Sequence, residues 1–269
     1  MSVLELGPSR ALYYEHDPSG SGKPTFVFVN ALTGNVAAWQ AELGPALRAA
    51  GYGTLAWNFR GQADSTYAAE DTLDEATITS DLMRLLEEVA PDQPILTGLS
   101  IGGLYAANAY LRGAKASALV FMNTLRKPGT HLNWINEAVT RLAKIGGGQL
   151  MMDANLPHLA GPAFLEKMRA NALPDEEAYQ GLAESDPIYQ LLAQARGADW
   201  DIAYEKLDLP VLSLTGKCDR VFYNEANVAE LKARMPNVTE VVFDDIGHLI
   251  PMEDAGRTAE ALIAFAETL

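Results

Sequence analysis

The sequence predicts an α/β protein built on a mostly parallel, doubly wound sheet. Three observations lead there. Short apolar runs of strand length recur at residues 25–29, 53–57, 94–99, 118–122, 211–214 and 240–243, the pattern of strands buried on both faces. Segments with helical periodicity separate them, at 37–50, 75–89, 101–112, 225–235 and 254–268. The alternation then fails over 126–197, where only helical pieces are found. A βαβα order implies parallel strands covered by helices on both faces.

Taken in chain order, residues 11–16 precede a Pro/Gly/Ser-rich turn at 17–24 and are expected as an antiparallel edge strand. In the 75–89 helix, Ile78, Leu82, Leu85, Leu86 and Val89 form one apolar stripe, and Pro91 closes it. Within 126–197, Leu132, Ile135, Val139 and Leu142 form another stripe, which Gly146-Gly147-Gly148 is expected to stop. Helices at 164–170, 175–183 and 187–195 should follow. The expected organisation is therefore a core of residues 1–125 and 198–269 with a helical cap, 126–197, inserted between two core strands. Such an insert lies over the C-terminal strand ends, where open α/β sheets bind ligands.

A chain of 269 residues suits one large domain or a domain with an insertion. The net charge of −15 argues against nucleic-acid and anionic-membrane partners, which demand Lys/Arg clusters. Cys218 is the only cysteine, so no intrachain disulfide and no thiolate metal site is expected, only a small buried residue at a strand end. Met1-Ser2-Val3-Leu4-Glu5 has no basic region leading into an apolar stretch, and no run approaches the roughly 18 apolar residues of a membrane span. A cytoplasmic location is the expectation.

Chemistry concentrates at Gly98-Leu99-Ser100-Ile101-Gly102, where an apolar strand turns at once into a helix rich in small residues. A serine at the apex of so tight a turn stands clear of its neighbours, and the flanking glycines remove side chains that would clash. The Ile101 N–H, at the helix start, is placed to meet a developing oxyanion. A nucleophilic serine needs a base. Of four histidines, His248 follows the last core strand on a loop just before the final helix, so it returns to the sheet edge that carries Ser100. Asp219, after the 211–214 strand, is the carboxylate expected to orient it. Asp244 and Asp245 are rivals, but so close to His248 in sequence that reaching its far nitrogen is strained.

The order Ser100, Asp219, His248 and the nucleophile-elbow motif resemble the α/β-hydrolase fold with a helical cap, over nearly all the chain from Lys23 onward. The resemblance implies an eight-stranded sheet. It also implies that the segment Phe26-Val27-Phe28-Val29-Asn30-Ala31-Leu32-Thr33-Gly34 carries the loop that supplies a second oxyanion donor, by position the backbone N–H of Leu32. Relatives usually have His-Gly where this chain has Asn30-Ala31. They commonly have Arg-Gly-His-Gly-x-Ser where it has Arg60-Gly61-Gln62-Ala63-Asp64-Ser65. Asn30-Ala31-Leu32 also resembles the Asn-Ser-Leu form of enol-lactonases. Candidate substrate-binding residues are Asn30, Arg60, Trp134 and His158. Arg60 is a candidate either for receiving a substrate carboxylate or for anchoring loop carbonyls and carboxylates.

The function expected is hydrolysis of a small carboxylic ester or lactone through an acyl-enzyme on Ser100, with no metal and no organic cofactor. The same three residues serve carbon–carbon cleavage of diketone-type acids and hydrolysis of amides or thioesters. A small-molecule receptor on the same scaffold is the reading without catalysis. Haloalkane dehalogenases and epoxide hydrolases use aspartate where this chain has Ser100.

Overall fold

The computed structural model describes residues 2–20 and 22–269. Eight strands, β1 (Ser2–Gly7), β2 (Arg10–Asp17), β3 (Thr25–Val29), β4 (Gly53–Trp57), β5 (Pro94–Leu99), β6 (Ala118–Met122), β7 (Val211–Gly216) and β8 (Val238–Phe243), form one sheet in the order β1-β2-β4-β3-β5-β6-β7-β8. β3 to β8 run parallel, whereas β2 is antiparallel to both β1 and β4. The helices are α1 (Val36–Gln40), α2 (Leu43–Ala49), α3 (Glu75–Val89), α4 (Ile101–Leu111), α5 (Thr130–Leu159), α6 (Pro162–Met168), α7 (Pro187–Gln194), α8 (Glu225–Arg234), α9 (Ile250–Glu253) and α10 (Ala255–Ala266).

Strand pleating divides the interior into two cores, one on each face of the sheet. Val27, Val29, Leu96 and Leu119 point to one face and pack with Leu82 and Leu85 of α3, Leu104 of α4 and Leu231 of α8. Phe26, Phe28, Ile95 and Val120 point to the other and pack with Trp39 of α1, Leu47 of α2 and Leu262 of α10. Phe28 and Trp39 stack with ring centroids 4.6 Å apart.

The four strands 25–29, 53–57, 94–99 and 118–122 match the sequence expectation at both ends. The departures lie where burial is one-sided or a turn intervenes. β1 escapes the apolar-run pattern because it is an edge strand with mostly exposed positions. The helix expected at 37–50 divides into α1 and α2 around Ala41-Glu42. Only a short 3-10 turn, Glu176–Ala178, forms within 175–183. Cys218 is partly exposed in the loop after β7, its Sγ near the carbonyl of Asp244.

Between β6 and β7 the described residues hold helices and turns and no strand. There the glycine run bends the chain without stopping it. Gly146 (φ −138°, ψ 18°) and Gly147 (φ +69°, ψ −164°) break α5 into two helical halves. A Cβ on Gly147 would stand 2.2 Å from the carbonyl oxygen of Gln180, so both the turn and the close approach demand glycine. Among the described residues no helix is long and apolar enough to cross a membrane.

Candidate active site

Ser100 sits at the junction of β5 and α4 with φ +57° and ψ −124°, a conformation L-residues rarely adopt. The turn closes this tightly because both flanking glycines lack a side chain. A Cβ on Gly98 would meet the Gly103 nitrogen at 2.2 Å, and one on Gly102 the Val29 carbonyl oxygen at 2.1 Å. The second contact also brings the start of α4 against the end of β3. Ser100 is thus held beside the loop that follows Val29.

His248 and Asp219 arrive on the loops after β8 and β7. His248 Nδ1 and Asp219 Oδ2 are 2.6 Å apart, and both side chains are buried. A carboxylate at this nitrogen makes Nδ1 the protonated one and leaves the Nε2 lone pair free. Burial opposes ionisation of Asp219. The His248 ring, the Phe222 N–H donating to Oδ1 at 2.9 Å and the Arg126 charge outweigh it and hold the carboxyl below its usual range. The His248 loop has its own support, which the sequence did not disclose. Glu253 in α9 accepts from the N–H groups of Gly247 (2.8 Å), Leu249 (3.0 Å) and, across the chain, Gly161 (2.8 Å). The end of α5 adds two ties: His248 N–H donates to the Leu159 carbonyl at 2.5 Å, and Arg220 N–H to that of His158 at 2.8 Å.

The loop after β3 explains both departures from the expected motifs. Asn30 is fully buried, its Nδ2 donating to the Trp57 carbonyl and to Gln62 Oε1, both at 2.8 Å, while its Oδ1 accepts from Trp39 Nε1 at 2.6 Å. Gln62 Oε1 also accepts from Phe59 N–H at 2.9 Å, and Gln62 Nε2 donates to the carbonyls of Ala31 and Leu32, both at 3.0 Å. Every donor and acceptor of the Gln62 amide is used, so the pair fits in one orientation only. With the Ala31 carbonyl turned to Gln62, the following N–H, that of Leu32, points to the opposite side of its peptide. Asn30 therefore supports the loop from within the core and does not line the cavity.

Ser100, Ile101, Leu32, His248 and Phe222 line one cavity of about 150 Å³. The segment between β6 and β7 supplies much of the remaining wall, including Val139, Met151, Met152, Leu159 and Leu192, with Asn136 and Asn155 as its uncharged polar members. Asp219 stands behind His248 and does not contribute to this wall. A wider depression of about 800 Å³ between Asp74, Asn133 and Arg196 shares no residue with it. Arg126 is the cation in the Ser100 cavity, and it went unrecognised in the sequence because it lies four residues past β6, at the start of the stretch assigned to the insert. Its position after a core strand is the signal that could have found it. Arg126 Nη2 donates to Ser100 Oγ and to the Asn123 carbonyl, both at 2.9 Å, and the Ser100 hydroxyl is not hydrogen-bonded to His248 in this arrangement.

Three sequence candidates for substrate contact lie elsewhere. Arg60 is bound through Nε and Nη2 to Asp81, both at 2.7 Å, and through Nη1 to Asp71 at 3.2 Å, which matches the anchoring alternative. Trp134 is 74% exposed on the outer side of α5, beside Glu137 and Arg141. The His158 side chain is exposed, and its backbone carbonyl makes the contact described above. Helical spacing alone does not tell the inner side of α5 from the outer, which is why these two were misplaced. No group of three or more His, Cys, Asp and Glu side chains among the described residues could hold a metal ion.

The fold has close counterparts among solved structures. MGS-M2, an alpha/beta hydrolase enzyme from a Medee basin deep-sea metagenome library, superposes with a TM-score of 0.84 at 18% identity, over 98% of this chain and 96% of that one. The enol-lactonase from Burkholderia xenovorans LB400 gives 0.78 at 20% identity, over 96% and 97%. A putative carbamate hydrolase RutD of Variovorax paradoxus (strain S110) is 28% identical over 166 residues, 61% of this chain, and the match spans about three fifths (61%) of that protein's length. The family model described as the alpha/beta hydrolase family matches residues 26–261, nearly the whole chain, and the protein belongs to the alpha/beta hydrolase family.

Proposed function

We propose that the protein is a serine hydrolase of small carboxylic esters or lactones. One observation carries the reading: Ser100, at a strained strand-to-helix turn, opens into the same small cavity as a histidine already bound to a buried carboxylate. Ser100 Oγ attacks the acyl carbon while His248 Nε2 takes its proton. Asp219 holds the ring and stabilises the imidazolium. The Leu32 and Ile101 N–H groups, for which no hydrogen bond is found among the described residues, receive the oxyanion. His248 then returns the proton to the leaving oxygen, and water, activated by the same imidazole, releases the acyl-enzyme. The mechanism requires the Ser100 hydroxyl to exchange its contact with Arg126 for one with His248. The segment 126–197 acts as a cap that closes the acyl pocket.

The bonds named for the relatives support this class. Ester, enol-lactone and carbamate all join a carbonyl carbon to a heteroatom leaving group. The test is hydrolysis of short-chain p-nitrophenyl esters and small lactones by the wild type and Ser100→Ala. A loss of at least about 10³-fold in kcat in the variant is expected. Equal turnover by the two proteins contradicts the mechanism.

A further inference from the structure

Arg126 is 6% exposed, and its guanidinium lies between the Trp200 and Phe222 rings, 4.6 Å and 4.2 Å from their centroids. Those faces fix its plane. Its donors, however, are far from matched. Nη2 makes the two bonds already described, Nε is enclosed without an acceptor, and Nη1 donates to no group among the described residues. Arg60 is the contrast within the same molecule, since all three of its nitrogens rest on Asp81 and Asp71. No carboxylate stands within ion-pair distance of Arg126 among the described residues, and its neighbour Asp219 is engaged by His248. A buried cation left without a counter-ion is costly unless something arrives to pair with it. Burial lowers its pKa to about 10, so it stays charged at neutral pH.

We infer that Arg126 is a carboxylate receptor, and that the substrate is a small acyl compound with a free carboxylate close to the bond that breaks. The inference rests on the proposed role of Ser100 for its reaction, though not for its binding site. Nη2 stands 2.9 Å from Ser100 Oγ. A carboxylate on this guanidinium therefore lies within about 9 Å of an acyl carbon at attack distance. That span fits half-esters of short diacids and lactones bearing an acid group. The side chains of Leu32, Val139, Met151 and Leu192 offer apolar contact to the rest of the molecule, and Asn136 and Asn155 are uncharged. Binding the carboxylate also gives Arg126 an acceptor in place of Ser100 Oγ, freeing the hydroxyl for His248.

The test compares matched pairs in which the charge is present or masked: monoethyl against diethyl succinate, and acetoxyacetate against its ethyl ester. These place the carboxylate on the acyl and the leaving side, respectively. The wild type is expected to favour the charged member of at least one pair by 10-fold or more in kcat/KM. Arg126→Gln should reverse that preference, and Arg126→Lys should restore part of it. A purely structural role for Arg126 would lower both members of a pair alike and leave the ratio unchanged, which would overturn the proposal. So would a wild type that favours the neutral members of both pairs. Calorimetry of succinate with Ser100→Ala separates the two readings. Binding that is lost in the double variant Ser100→Ala/Arg126→Gln upholds the receptor even if no ester is turned over, whereas undiminished binding in the double variant refutes it. If Arg126→Gln does not fold by thermal melting, Arg126→Lys takes its place in every arm, with a weakened rather than reversed ratio expected.

Discussion

Two backbone segments face the cavity around Ser100, and they are held by different physics. The elbow at 98–102 is held by the absence of side chains, with two glycines allowing backbone to meet backbone near 2 Å from where a Cβ would be. The loop at 30–34 is held by their presence, through a buried Asn30–Gln62 amide pair that grips the Ala31 and Leu32 carbonyls. The steric device is local and all-or-none. The polar device is assembled from residues some thirty positions apart, and its strength depends on every bond being made.

Breaking the steric side should have the largest effect. Gly102→Ala forces a Cβ to 2.1 Å from the Val29 carbonyl. We expect activity on any accepted ester to fall by more than about 10³-fold and stability by roughly 3 kcal/mol or more, read by kinetics and denaturant melts. On the polar side, Gln62→Glu keeps the shape but turns the donor that faces two carbonyls into an acceptor. A loss of about 10²-fold in kcat is expected, comparable to removing one oxyanion donor, with KM little changed. Glu253→Gln sharpens the comparison on the histidine side, since it weakens the anchor of the Gly247 and Leu249 N–H groups without touching the cavity. Its kcat should drop by about 10-fold, because one of the two accepting oxygens becomes an NH2 that cannot accept from an N–H, while the bonds left on the other oxygen lose their charge. Arg60→Met should cost about 3 kcal/mol of stability by leaving Asp81 buried and unpaired, while the activity per folded molecule holds. Trp134→Ala should fall within about 0.5 kcal/mol of wild-type stability and leave turnover unaltered.

The same contrast explains what the sequence disclosed. The elbow was legible because steric necessity writes itself as fixed residues at fixed spacing around Ser100. The buried parallel strands were legible because burial on both faces leaves unbroken apolar runs, whereas β1, exposed along most of its length, left none. The Asn30–Gln62 pair showed only as two departures from a familiar pattern. Their mutual compensation is a three-dimensional fact that neither residue announces alone. Arg126 and Arg60 are the sharpest case. Both follow core strands, and sequence cannot tell which arginine finds carboxylates on its own chain and which is left facing a cavity. Glu253 was hidden for a similar reason, since its acceptor role is defined by backbone N–H groups of loops that fold against it.

The most direct test of the central claim is covalent trapping of the serine. Incubation with a small alkyl fluorophosphonate followed by intact-protein mass spectrometry and peptide mapping should show one phosphonyl adduct on Ser100. The adduct should be absent in Ser100→Ala and form far more slowly in His248→Ala. Labelling that proceeds equally in Ser100→Ala, or that maps to another residue, would contradict the account.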